Sequence, residues 1–161
     1  MLIEITSAAE FLVRLLAGQH QVKKLNEAQL ASFKGSLISL LKSRYQNHWF
    51  PEYPNRGSAY RCIRINTKMD PIVAQACNAT GCSANSLRAL FPHELTLWID
   101  PEEVSYRFGE NGSICVLYDK ENKEEQVITV STVIPPPRQS PELYLDPRQM
   151  EPIDPMTDFY Y

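Results

Sequence analysis

The chain is poor in the groups that catalysis and cofactor binding need. It has only three histidines and six glycines in 161 residues. None of the glycines forms a phosphate-cradling loop or a dinucleotide fingerprint, and no HExxH pair occurs. His20, His48 and His93 stand apart from one another, and no serine or cysteine sits on the kind of sharp exposed turn that an activated nucleophile requires. The four cysteines, Cys62, Cys77, Cys82 and Cys115, lack the paired C-x₂-C spacing of zinc sites and read as free thiols of a reducing compartment. An excess of basic charge is also missing. With 16 Lys and Arg against 19 Asp and Glu the net charge is −3, which argues against direct binding to nucleic acid. Long apolar runs are absent too. The N-terminal "MLIEITSAAEFLVRLLAG" is interrupted by Glu4, Glu10 and Arg14 and has no basic lead, so neither a signal peptide nor a membrane span is expected. These absences predict a non-enzymatic intracellular protein without metal, cofactor or membrane contact.

What is present is enough apolar sequence, 43% of residues, to build a core without disulfides. Residues 1–134 carry 14 basic and 14 acidic residues, whereas 135–161 carry 2 and 5 and hold seven of the twelve prolines. We therefore expect one domain over 1–134 and a Pro-rich, acidic tail over 135–161 that is disordered or extended. Residues 2–17 show helical spacing at Leu2, Ile5, Ala9, Leu12 and Leu16 and stop at Gly18. A second helix begins at Asn26, with Gln29 in the capping-box position, and carries Leu30, Phe33, Leu37, Leu40, Leu41 and Tyr45 on one stripe. The pair predicts a helical hairpin.

"HWFPEYPNRGS" breaks all periodicity through Pro51 and Pro54. "AYRCIRIN" predicts a strand with Arg61, Ile63 and Ile65 on one face and Tyr60, Cys62 and Arg64 on the other. Asp70 caps a helix with Pro71 at its first position. Ser83 opens a short helix through Leu90, ended before Pro92, and "ELTLWID", "VSYRF" and "SICVLYD" read as strands, the last apolar on both faces and expected to be covered. The fold class is α/β (α+β): a helical hairpin packed on a small, mostly antiparallel sheet.

In "ELTLWIDPEEV", Leu95, Leu97 and Ile99 alternate toward a core, which leaves Trp98 on the polar face. Tyr60 is on the polar face of its own strand in the same way. Tyrosine and tryptophan dominate binding hot spots because they bury much area at small entropic cost, although a second layer covering the face explains the pattern equally well. "DPEEV" has neither the ligand spacing of a calcium loop nor a partner for acid–base work, and reads as a charged turn. Two LxxLL strings, "LVRLL" at 12–16 and "LISLL" at 37–41, match groove-binding helices, but the same leucines are the best core candidates.

"YQNHWFPEYPNRGSAYRCIRIN" (45–66) and "LFPHELTLWIDPEEVSYRFGENGSICVLYD" (90–119), with "KMDPIVAQA" between them, resemble the two signature boxes of the BTG/Tob antiproliferative family. The similarity spans roughly residues 1–119, and "SYRFGENGSICVLY" is closest to the branch containing BTG one and two. The resemblance implies a compact α/β adaptor domain that docks on the DEDD-type exonuclease subunit of the CCR–NOT deadenylase, promotes poly(A) shortening and restrains proliferation. It assigns partner binding to Tyr60, Trp98 and Asp70, and by analogy to Asp100. The first box usually reads Gly-Ser-Gly-Tyr, and here Ala59 replaces the second glycine. No segment after Asp119 matches the third box, which in the closest branch helps to contact poly(A)-binding protein. Ser140, in a Ser-Pro pair, is a candidate phosphorylation site. The alternative is a transcriptional co-regulator working through the LxxLL helices or through transcription factors.

Overall fold

The computed structural model describes residues 1–18 and 25–122. α1 (Leu2–Ala17) buries Ile5, Ala8, Ala9, Phe11, Leu12 and Leu16 along one stripe. α2 (Glu27–Tyr45) starts at a complete capping box: Asn26 Oδ1 accepts from the Gln29 amide at 2.8 Å, and Gln29 Oε1 accepts from the Asn26 amide at 3.0 Å. Two orphan donors of the first turn are thereby satisfied. Gln29 has a second task, since its Nε2 donates to the Thr80 carbonyl at 3.1 Å and so ties α2 to a distant turn. α1 and α2 pack on each other as the sequence predicts. Only α1 lies broadly against the sheet, touching the second, third and fourth strands, while α2 turns its other side to the helix that follows the first strand.

The sheet is four-stranded and antiparallel throughout, in the order β1 (Ile63–Ile65), β2 (Leu95–Asp100), β3 (Glu103–Phe108) and β4 (Cys115–Asp119). Between β1 and β2 run α3 (Pro71–Cys77), a 3₁₀ turn at Asn78–Thr80 closed by left-handed Gly81, and α4 (Ala84–Arg88). α3 is capped by the Asp70 carboxylate and begins on Pro71, and Ser83 caps α4, as the sequence predicts. The core lies between α1, α2, α3 and the inner sheet face, where Ile63, Ile65, Leu95, Leu97, Ile99, Val104 and Tyr106 are all buried. Phe11 of α1 stacks at 4.5 Å on Tyr106 and at 6.4 Å on Phe108. Aromatic contacts of this kind seat the helix beyond what area burial alone gives.

Three expectations are corrected. The segment "AYRCIRIN" forms a strand only over Ile63–Ile65, and Tyr60 and Arg61 belong to the turns before it. β4 is not covered on both faces: it is last in the strand order among the described residues, and Val116 is 51% exposed and Ile114 62%. Its apolar residues misled because an apolar run has no period to show which face is wet. The helix opened by Ser83 ends at Arg88 rather than at Leu90. "DPEEV" is indeed a turn. Asp100 pairs with Glu103 across it, and Glu102 takes a left-handed φ of 71°. That conformation is held by the Glu102 amide donating to Glu4 Oε1 at 3.0 Å and by the Lys120 amide donating to the Glu102 carbonyl. The domain boundary proposed at 134, the tail, Ser140 and the loop histidine His20 lie outside the described residues.

Candidate functional site: an arginine-held arch beside an aromatic sheet face

The segment from His48 to Tyr60 has no regular structure, yet it is held tightly, and Arg61 is the reason. Its side chain is fully buried. Nε donates to the Ile99 carbonyl at 2.9 Å; Nη1 donates to the His48 and Arg56 carbonyls, both at 2.7 Å; Nη2 donates to the Pro54 carbonyl at 2.8 Å and to Asp100 Oδ1 at 2.8 Å. All five N–H groups of the guanidinium are used. Four of the acceptors are backbone carbonyls, three in the loop with two prolines and one on β2, so one buried cation ties the loop to the sheet in place of a hydrogen-bond ladder. Asp100 neutralises the charge and accepts at its other oxygen from Ser58 Oγ at 3.0 Å. A buried cation unmatched by such a carboxylate would carry a large desolvation cost. Tyr45 closes the arrangement from α2 by donating its hydroxyl to the Arg61 carbonyl at 2.7 Å, and burial pushes its phenol well above the ordinary range.

Gly57 is required here by geometry. It sits at φ 73°, and a β-carbon on it would stand 3.1 Å from Arg61 Nη1. Ala59, the departure from the usual box, has no such constraint: among the described residues Glu102 is the one non-glycine with positive φ, and Ala59 is exposed. The substitution is accommodated without strain.

The arch presents Tyr60, which is 41% exposed although it leans on the His48 ring at 3.9 Å and has the Arg44 guanidinium 4.7 Å above it. Both contacts fix the ring while leaving one side to solvent. Trp98 points from the outer face of β2, half-buried, between core positions Leu97 and Ile99 that face inward. Arg107 of β3 stacks over it with Cζ 5.6 Å from the ring. Among the described residues of this face, Arg64 is exposed and Thr96, Trp98 and Arg107 are partly exposed, while Ser105 is buried. Tyr60 and Trp98 are brought to the same end of β2, since Asp100 is bonded to both Ser58 and Arg61 of the arch.

The two aspartates are placed differently from the aromatics. Asp70 Oδ1 accepts from the Ile72 amide at 2.9 Å, as a helix cap, and Oδ2 accepts from the Arg64 amide on the outer edge of β1 at 3.2 Å. It is partly exposed and borders the same face. Asp100 is mostly enclosed, with its side chain 17% exposed, and both its oxygens are occupied within the chain. Cys62 lies among these groups, and burial together with Asp70 and Asp100 pushes its thiol up against the opposing pull of Arg64 and Arg107. Sequence reading missed Arg61 as the organiser and His48 and Arg44 as supports of Tyr60. The signal available was an arginine placed in register with two core isoleucines.

Elsewhere, most of both LxxLL strings is built into the core: Leu12, Leu16, Leu37 and Leu41 are buried, while Leu15 and Leu40 are half-buried and pack against it. No group of three His, Cys, Asp or Glu side chains among the described residues could hold a metal ion, and no described helix is long and apolar enough to cross a membrane.

The chain is a small helix-and-sheet domain with an arginine-held arch that carries Tyr60 and with Trp98 on the outer face of β2. The BTG family profile matches residues 1–118. The chain is 53% identical over 119 residues to chicken Protein BTG1, covering 74% of this chain and 68% of that protein. It is 52% identical over 120 residues to human Protein BTG2, covering 74% of each, and 40% identical over 124 residues to human Protein Tob1, covering 77% of this chain and 34% of that one. Among solved structures, the BTG/Tob domain of C. elegans FOG-3 has the same fold, with a TM-score of 0.62, 22% identity, and coverage of 77% of this chain and 88% of that one. The chain belongs to the BTG family, on the side of BTG1 and BTG2.

Proposed function

We propose that this protein is a non-enzymatic antiproliferative adaptor whose arch and outer sheet face dock on the exonuclease subunit of the CCR–NOT deadenylase, promoting poly(A) shortening on selected mRNAs in cytoplasm and nucleus. The observation that carries this reading is the pair Tyr60 and Trp98. Both are large aromatics outside the core, kept partly exposed and rigid by neighbours that do not cover them. A preorganised aromatic loses little entropy on docking and is the residue type that concentrates binding energy. Asp70 serves as a polar contact at the border of the same surface. Asp100 acts mainly by holding the arch, with direct partner contact secondary. The domain's own contribution is proximity: it holds the nuclease while a further contact, with poly(A)-binding protein or a transcription factor, selects the target. Four of the six LxxLL leucines are in the core and Leu15 and Leu40 are only half-exposed, which favours this reading over a co-regulator role through those helices.

A pull-down from cell extract with the full chain, wild type against Trp98→Ala, tests the assignment. Deadenylase subunits are expected to disappear from the variant's eluate while its melting temperature stays unchanged. Retention of those subunits at wild-type level would sink the reading.

A further inference from the structure

Across three strands of the outer face runs a single cross-strand row: Arg64 of β1 is opposite Thr96 of β2, and Thr96 is opposite Arg107 of β3. Two guanidiniums therefore flank one hydroxyl. With neighbouring strands about 4.8 Å apart, the two arginine backbones stand about 10 Å from each other, within reach of one small anion above Thr96. A small hollow opens there, lined by Arg64, Thr96 and Arg107, with Glu94 and Glu110 also on its wall. Among the described residues neither guanidinium has a carboxylate within ion-pair distance, those two glutamates included. Arg107 Nε is buried and donates to nothing, although the same side chain is held in place over Trp98. Two like charges sharing a row, one with an unused buried donor, are an arrangement that the free domain does not neutralise.

We infer that the Arg64–Thr96–Arg107 row receives a carboxylate side chain of the docking partner, so that the aromatic anchor Trp98 and an acidic anchor engage side by side. The inference rests on the docking reading and deepens it. A carboxylate matches the row, since its planar oxygens share one charge and fit the guanidinium fork, whereas a phosphate monoester dianion would bring twice the charge against Glu94 and Glu110 on the same wall. The row adjoins the Trp98 position on the same strand, so one partner surface can cover both.

The test uses the full chain and purified exonuclease subunit, with affinity measured calorimetrically from about 50 to 300 mM NaCl. Arg64→Gln and Arg107→Gln should each weaken binding about tenfold at low salt, and the double variant should show a clearly flatter salt dependence than wild type. Arg64→Lys should keep most of the affinity. Arg64 is exposed, so its variants report on binding without a folding defect. If the double variant binds like wild type with the same salt slope while Trp98→Ala fails to bind, the acidic anchor is wrong and the docking face stands. If Trp98→Ala also binds normally, both readings fall. If the double variant keeps nuclease affinity but loses affinity for an oligoadenylate, the row serves phosphate and the inference is overturned.

Discussion

Arg61 shows how much of this molecule rests on one side chain. Lysine has three donors where Arg61 uses five, so Arg61→Lys leaves at least two buried acceptors unpaired, at about 1–3 kcal/mol each. We expect a loss of at least about 2 kcal/mol in urea unfolding, and quenching data on Trp49, 5.4 Å beneath the guanidinium, should report the loosened arch. Gly57→Ala should cost about 1–2 kcal/mol for the left-handed backbone alone, whereas Ala59→Gly, at a position without that constraint, should change stability by only a few tenths; the two melts compared side by side check the assignment. Glu4 has its own pH signature. Burial raises its carboxyl, but the Met1 ammonium 2.7 Å from Oε2, an ion pair without hydrogen-bond alignment, and the Glu102 amide outweigh that, so its pKa is lowered. A lowered carboxyl stabilises the fold above its ordinary titration range, and that stability is lost as pH falls through the depressed value. Acid unfolding of Glu4→Gln should therefore show a smaller loss between about pH 5 and the acid limb than wild type.

At the scale of elements, α1 joins layers that would otherwise be separate, with its stripe against the sheet and its side against α2. Leu12→Ala removes a fully buried leucine from that junction and should cost about 2–5 kcal/mol, read as a drop in the chemical-denaturation midpoint. A docking leucine would show no such drop, so this variant separates the two readings of the LxxLL string independently of any binding assay. The elements with a strong period were legible in the sequence: both long helices, the capping box at Asn26, the Asp70-Pro71 start of α3, and β2 with its alternation from Leu95 to Asp100. The arch was not legible because its order comes from one arginine reaching five distant acceptors, and no local pattern encodes that. Arg88 works in the same way on the other side of β1, donating to the Asn66 and His93 carbonyls. β4 was misjudged for the opposite reason, an apolar run that does not say which face is wet. Of the candidate site, the aromatics could be found as breaks in alternation, while Asp70 and Asp100 were nameable only through the family resemblance. Asp70's role as helix cap was legible in the Asp70-Pro71 pair, whereas Asp100's role as counter-ion required coordinates.

For the molecule as a whole, the proposed docking role has the domain separate stability from recognition. Aliphatic residues on the inner sheet face and the helices hold the fold, and the outer face is left to one tryptophan, one arginine row and a tyrosine carried on the arch. Changes on that face should therefore affect partner binding far more than folding, and changes at Leu12 or Arg61 the reverse. The most direct measurement is the affinity of the purified chain for the purified exonuclease subunit, taken for wild type, Trp98→Ala and Tyr60→Ala alongside their melting curves. Each variant is expected to lose about 2 kcal/mol or more, roughly thirtyfold, with melting unchanged. Binding within twofold of wild type, or a loss that tracks unfolding, would contradict the account.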